Sequence, residues 1–488
     1  MTLAAGVIIV YLLLLTGLGI WHSRRIKTGD DFALAGRKLG LTVTVGTLVA
    51  TWIGTGSLFG SPDAIRQMGL ATFIYPLGGA AGILLLMGLA GKARALPAKS
   101  VPQILGLRFG RSAQVLGACA LVTAYMVMVS YQIRAGGAIA ERLFPVEQAA
   151  AVGSAADTGA GVEVLAASGS ERQRWAMYPI LFAVFVIAYT ALAGMVSVAW
   201  TDFINGLLMT GGLLAALAWV YWSWDPVSQP MEASFLELPG RITTVEWIGY
   251  LLPAFLLVMG DANLFQRFMS TGSVATARWS AFGMFWGVLL LELAVIALAI
   301  LGCLVLQHDP QDAKYIILTL ATSKLPTWLG IVILAAATAI VITTADSLLL
   351  SASTSVSVDL LGGMKGAGQQ RVMVVLLGGI ALALSYAGTG FFDIARYAYT
   401  LYGASLTPAL VCALLLPRVP RRAVVAGMAG GLLTALVWKG LLLMGTLPVM
   451  LQAWDPCLPA LTVNVGLIGI LTCLLPSTSA SDSLDLET

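Results

Sequence analysis

Apolar runs of roughly 17–25 residues recur from one end of this chain to the other, and each can cross about 30 Å of hydrocarbon. That recurrence limits the fold more than any other feature. Within a bilayer the backbone must satisfy its own hydrogen bonds, and runs of this length do so as helices. Hydrophobic residues fill 58% of the 488 positions and charged residues only 10%, far from soluble averages. The expectation is an all-α polytopic membrane protein of about thirteen spans. They lie near 2–21, 41–68, 71–91, 113–140, 175–195, 199–222, 246–266, 280–306, 327–358, 372–390, 392–416, 423–446 and 457–476. The first run lacks a basic leader and a small-residue cleavage site, so it reads as a retained span. No stretch between the runs is suited to a soluble core, so 1–476 reads as one transmembrane domain.

Charge sets the expected orientation. With the N-terminus outside, the inner loops collect Arg24, Arg25, Lys27, Lys92, Arg94, Arg108, Arg267, Arg418, Arg421 and Arg422, among others. The outer loops hold few cations, such as Arg142, Arg172, Arg241 and Lys324. The positive-inside rule then puts the N-terminus outside and the C-terminus inside. The net charge of +3 follows from those inner cations and implies no nucleic-acid partner. Residues 145–174, rich in Ala, Gly and Ser, read as an outer loop of low order. The polar stretch 477–488 reads as a disordered cytoplasmic tail. The cysteines form no CxxC pair and there are only two histidines, which argues against a disulfide frame or a membrane metalloenzyme.

Two spans are poorly made as plain helices. ATWIGTGSLFG (50–60) packs Gly54, Gly56 and Gly60 among hydroxyls, with Pro62 close behind. Each glycine costs about 1 kcal/mol against alanine in a helix. One explanation is close helix packing through Gly56 and Gly60. The other is an unwound segment whose carbonyls serve an ion, the pattern of a secondary transporter. The span 327–358 carries Thr343, Thr344, Asp346, Ser347, Ser351 and Ser355. A hydroxyl there can bond its own i−4 carbonyl, as expected of Ser351 and Ser355. A carboxylate cannot, and one inside a span marks an ion or proton route. Asp202 opens another span. Oxygen ligands alone suit a hard cation.

Five motifs in order, DFALAGR (31–37), ATWIGTGSLFG (50–60), TDFIN (201–205), FQRFM (265–269) and TTADSLLLSAS (343–353), resemble the sodium:solute symporter family over nearly the full length. That family includes sodium/galactose, proline, pantothenate, sialic acid and choline transporters. The resemblance implies a LeuT-type inverted five-plus-five helix repeat. The first repeat would be 41–222 and the second 246–416, with flanking helices 2–21, 423–446 and 457–476. It implies a main sodium site from the carbonyls of Ala50, Ile53 and Ile340 and the hydroxyls of Thr343 and Thr344. A second sodium site would use Asp202, Thr343, Asp346 and Ser347. Tyr75 matches an outer gate.

For the solute, Trp52 resembles the choline-type members, which hold an ammonium group against an indole. The sugar ligands of galactose-type members are absent, with Pro76, Ala254 and Leu257 in their places. Asp261, facing Trp52 from the next repeat, would suit an amine, and Thr55, Gly56 and Ser57 complete the expected pocket. The alternative role for Asp261 is structural, beside Gln266 and Arg267. Arg134 and Glu292 are intramembrane charges expected to pair with each other; a free Arg134 would instead favour an organic acid or amino acid. The expected function is sodium-coupled import of a small polar organic solute across the cell membrane, by a monomeric unit. The alternative is a sensor or channel on the same fold. A sensor would carry a fused cytoplasmic domain, whereas the tail after 476 is short. An enzyme is not expected, for want of a nucleophile–base constellation.

Overall fold

The computed structural model describes residues 3–23, 28–144, 161–226, 243–306, 315–363, 366–386 and 391–475. It is helical throughout, apart from one isolated bridge between Leu39 and Thr271. The principal helices are α1 (Leu3–Ser23), α2 (Leu41–Trp52), α3 (Ser61–Met68), α4 (Pro76–Ala95), α5 (Arg111–Leu143) and α6 (Gly161–Ser223). They continue as α7 (Thr244–Gly260), α8 (Ala262–Met269), α9 (Val274–Leu306), α10 (Thr327–Ser355), α11 (Ala367–Ser385), α12 (Phe391–Leu415), α13 (Arg421–Leu443) and α14 (Cys457–Leu474).

Among the described residues, 11 helices are long and apolar enough to cross a membrane, or up to 12 with the bent pair 41–52 and 56–65 as one span. The thirteen expected spans therefore differ from this count. Part of the difference lies in α6, where the apolar stretch Met177–Ser223 of 47 residues is two helices joined across a kink, close to the spans expected at 175–195 and 199–222. It turns at Gly194, whose φ of 64° suits a residue without a Cβ. The outer loop expected at 145–174 is also shorter, because α6 already begins at Gly161. Its first part, 145–160, and the tail 477–488 lie outside the described residues.

Two spans are broken, and the breaks are built differently. The first half, α2, stops at Trp52; Ile53 is extended (φ −71°, ψ 91°), and a wide turn at Gly56–Gly60 leads into α3. The two halves meet at 46°. Pro62 sits in the first turn of α3, where a missing N–H costs nothing. Gly54 lets the backbone approach its neighbours: a Cβ there would stand 3.0 Å from Thr344 Oγ1 and 3.2 Å from Gln132 Nε2.

The second break separates α7 from α8 at Asp261 (φ −59°, ψ 109°). Asp261 Oδ1 accepts from the Asn263 N–H at 2.7 Å and the Leu264 N–H at 3.3 Å, capping α8. Tyr125 donates to the same oxygen at 2.6 Å. Tyr402 spans the gap, accepting from the Ala262 N–H at 3.0 Å and donating to Gly260 O at 2.7 Å. The N–H groups of Ala262, Asn263 and Leu264 and the carbonyl of Gly260 thus have protein partners at this break, as a membrane interior demands.

The start of one broken span and the end of the other are joined. Leu39 N–H donates to Ser270 O, and Gly272 N–H donates to Leu39 O, each at 3.0 Å. Helix α10 runs through the centre and is buried over most of its length. By contrast α1, α11, α13 and α14 keep large apolar side chains such as Leu13, Val375, Leu433 and Ile470 exposed, the surface a lipid solvent requires.

Candidate functional site

Where α2 ends, its last carbonyls leave the helical ladder and face α10. Thr343 Oγ1 lies 3.4 Å from Ala50 O and 3.1 Å from Ile340 O. Thr344 Oγ1 lies 3.0 Å from Ile340 O. Ala50, Ile340, Thr343 and Thr344 therefore converge at the break, and all four are buried. Ile53 is buried in the break as well, with its N–H donating to Val49 O at 3.1 Å. An all-oxygen set of carbonyls and hydroxyls fits a small hard cation.

Asp202, Asp346 and Ser347 also come together, with a residue that the sequence had placed in an inner loop. Arg267 is not in a loop; it lies on α8 and is 1% exposed. Its Nη2 donates to Asp202 Oδ2 at 2.8 Å and to Ser347 Oγ at 2.6 Å. Its Nε donates to Thr47 Oγ1 at 2.8 Å, and Nη1 serves the Asn263 side chain and carbonyl. Thr47 and Thr51 donate to Asp202 Oδ2 at 2.5 and 3.3 Å. Ser347 Oγ stands 3.1 Å from Asp346 Oδ1. Asp202 Oδ1 and Asp346 Oδ2 have no hydrogen-bond partner among the described residues. Two carboxylates against one guanidinium leave a negative charge, in a place where burial is expensive.

Two small cavities flank Trp52, each about 30 Å³, room for a water or two. One is walled by Trp52, Gly56, Ser57, Ser61, Tyr75, Pro76, Gly79, Ala254, Glu292 and Tyr399. The other includes Thr51, Trp52, Gly54, Gly56, Tyr131, Gln132, Asp261, Thr344 and Tyr399. Trp52 and Asp261 therefore share a cavity, as expected of neighbours across the two repeats, and Tyr75 and Ser57 share the other with Trp52. Thr55 does not join them: its hydroxyl donates to Gln132, and it lines neither cavity.

The expected pairing of Arg134 with Glu292 does not form. Glu292 Oε1 accepts from Ser57 Oγ at 2.5 Å, and its Oε2 closes no hydrogen bond among the described residues. Arg134 lines neither cavity. The sequence reading missed Tyr131, Gln132 and Tyr399. The available signal was the polar and aromatic cluster YQIR at 131–134 inside a span.

Two broken helices meeting an oxygen-rich partner, inside a bundle of membrane-length helices, define a class: multi-pass transporters rather than enzymes. A solved structure of a Na+-coupled sialic acid symporter in its substrate-bound outward-open state superposes with a TM-score of 0.74, covering 98% of this chain and 99% of that one at 15% identity. A structure of MhsT with L-phenylalanine gives 0.59, covering 89% and 98% at 14% identity. These likenesses show the LeuT-type fold. The sequence signature of the sodium:solute symporter family matches residues 32–158 and 176–431, and the chain belongs to that family. Its relatives include the high-affinity choline transporter 1 of Drosophila melanogaster, 29% identical over 56% of this chain and 42% of that protein. The sodium/pantothenate symporter of Escherichia coli is 23% identical over 51% and 48%. The chain spans about half the length of the curated relatives it matches.

Proposed function

We propose that this protein is a sodium-coupled symporter that imports a small polar organic solute by alternating access. The observation that carries this reading is the approach of the Thr343 hydroxyl to Ala50 O at the end of α2, with Thr344 packed against Gly54 in the break, beside the cavities around Trp52. Sodium would be held by the oxygens of Ala50, Ile53, Ile340, Thr343 and Thr344. It supplies a positive charge that draws α2 and α10 together. A second sodium is proposed at Asp202 Oδ1 and Asp346 Oδ2, with Arg267 as a fixed neighbour that already engages Asp202 Oδ2 and Ser347. The solute would lie against Trp52, with Gly56 and Ser57 on one side and Tyr75 closing the outer side.

The cavities are too small for an organic molecule as they stand, so loading requires the helices around Trp52 to separate. Alternating access supplies that movement. The protein would work as a single unit in the cell membrane, with its N-terminus outside and C-terminus inside. Arg134 borders neither cavity, so an organic acid held by that residue is the weaker reading. Reconstitution in proteoliposomes tests the proposal: an inward sodium gradient should drive solute accumulation, and a potassium gradient should not. Uptake indifferent to sodium and driven by pH instead would overturn it.

A further inference from the structure

Glu292 is a carboxylate on the wall of a cavity beside Trp52, with one oxygen engaged by the fold and the other left open. It sits on α9 at 6% exposure. Oε1 is engaged by Ser57 Oγ on the broken span at 2.5 Å. Among the described residues Oε2 closes no hydrogen bond, nor does Ser61 Oγ on the same cavity wall, although Ser61 and Trp52 stand close enough to act on the carboxylate. A buried charge left in this way is expensive unless a cation meets it. Asp261, the expected anchor, is differently placed: its Oδ1 accepts three hydrogen bonds and holds the start of α8.

The rest of the wall indicates what kind of cation fits. Trp52, Tyr75 and Tyr399 border the same cavity, and aromatic faces attract organic cations. A bare metal ion would leave the three rings unused. A quaternary ammonium satisfies the charge but cannot donate a hydrogen bond, so Glu292 Oε2 and Ser61 Oγ would stay unmet. A protonated amine meets all three demands: its charge faces Glu292, its N–H groups reach Oε2 and Ser61, and its carbons lie against the rings.

We infer that Glu292 is the residue that selects the solute by charge, and that the solute class is a small protonated amine held between Glu292, Ser61 and Trp52. This rests on the symporter reading above and assigns the recognition chemistry within it. It moves the anionic contact from the start of α8 to α9, in the other of the two cavities that Trp52 lines.

The test uses the full-length protein in nanodiscs and in proteoliposomes, with a panel of small monoamines. Each amine is paired with its N-trimethylated analogue and its uncharged alcohol analogue. Calorimetry in sodium should show amines binding best, trimethylated analogues more weakly and alcohols least. Glu292→Gln should weaken amine binding about ten- to a hundredfold, the loss of one charged hydrogen bond. Glu292→Asp should recover part of it, and sodium-induced thermal stabilisation should persist in both. Should Glu292→Gln fail to give monodisperse protein, Ser61→Ala replaces it, with a several-fold loss expected for amines alone.

A panel bound without regard to charge overturns the assignment, as does unchanged amine affinity in Glu292→Gln or the absence of any amine ligand. A variant that loses sodium binding in place of amine binding overturns it too. The two readings fail separately. Sodium-driven uptake that ignores solute charge removes the Glu292 assignment and leaves symport standing. Amine binding that needs Glu292, with uptake indifferent to sodium, does the reverse.

Discussion

Arg267 Nη2 lies 2.8 Å from Asp202 Oδ2, and the two side chains are 1% and 0% exposed. The pair ties α8, the second half of one broken span, to α6. Removing one member leaves the other charged and buried, at a cost of about 3–5 kcal/mol. Arg267→Met should therefore lower the thermal transition of the purified protein sharply. Combining it with Asp202→Asn should recover much of the loss, and a thermal double-mutant cycle measures this coupling. Additive losses would show that the pair does not act as a unit.

Thr344→Ala removes one oxygen from the main cation set, while alanine is well tolerated in a helix. The expected outcome is a marked rise in the sodium concentration for half-maximal uptake, with the transition temperature little changed. Thr344→Ser keeps the oxygen and should behave close to the parent. Flux measured against sodium concentration decides between them.

Asp346→Asn addresses the second ion. Asp346 Oδ2 has no partner among the described residues, so its charge is available to a cation. If two sodium ions move per cycle, sodium activation in the parent is cooperative and that cooperativity falls toward one in the variant. Each charge carried is worth about 2.3 kcal/mol per 100 mV, so the voltage dependence of uptake should fall in step. An unaltered sodium response would remove Asp346 from the coupling machinery.

Asp261 should behave as a helix cap. Asn caps nearly as well as Asp, whereas alanine costs about 0.5–2 kcal/mol. Asp261→Asn should thus leave thermal stability nearly intact and Asp261→Ala should reduce it. Neither should change the preference for charged over uncharged solutes. Trp52→Ala, in contrast, should weaken solute binding by about 0.5–2 kcal/mol and leave sodium binding near that of the parent.

The parts of the site that could be read from the sequence are those whose signal is local. The glycines between 54 and 60 betray a weak helix, and the hydroxyls at 343, 344 and 347 are visible on any helical projection. Arg267 shows where local reading ends. A cation close to a span end looks like an orientation signal, and only folding shows that α8 carries it inward to partners 65 and 80 residues away. Glu292 is similar: two intramembrane charges invite pairing on paper, yet its partner is Ser57, 235 residues distant. Thr55 resembled a pocket residue because its neighbours are, but helical geometry turns it toward Gln132.

The bridge at Leu39 has a genetic consequence. Both of its hydrogen bonds run between main-chain atoms, from Leu39 N–H to Ser270 O and from Gly272 N–H to Leu39 O, so no side chain is needed to keep the two broken spans hinged together. Almost any amino acid could stand at either donor position without removing a bond; proline alone lacks the hydrogen. Selection on the bridge itself would therefore act only through the exclusion of one residue type, while the buried Leu39 side chain is constrained separately by its packing.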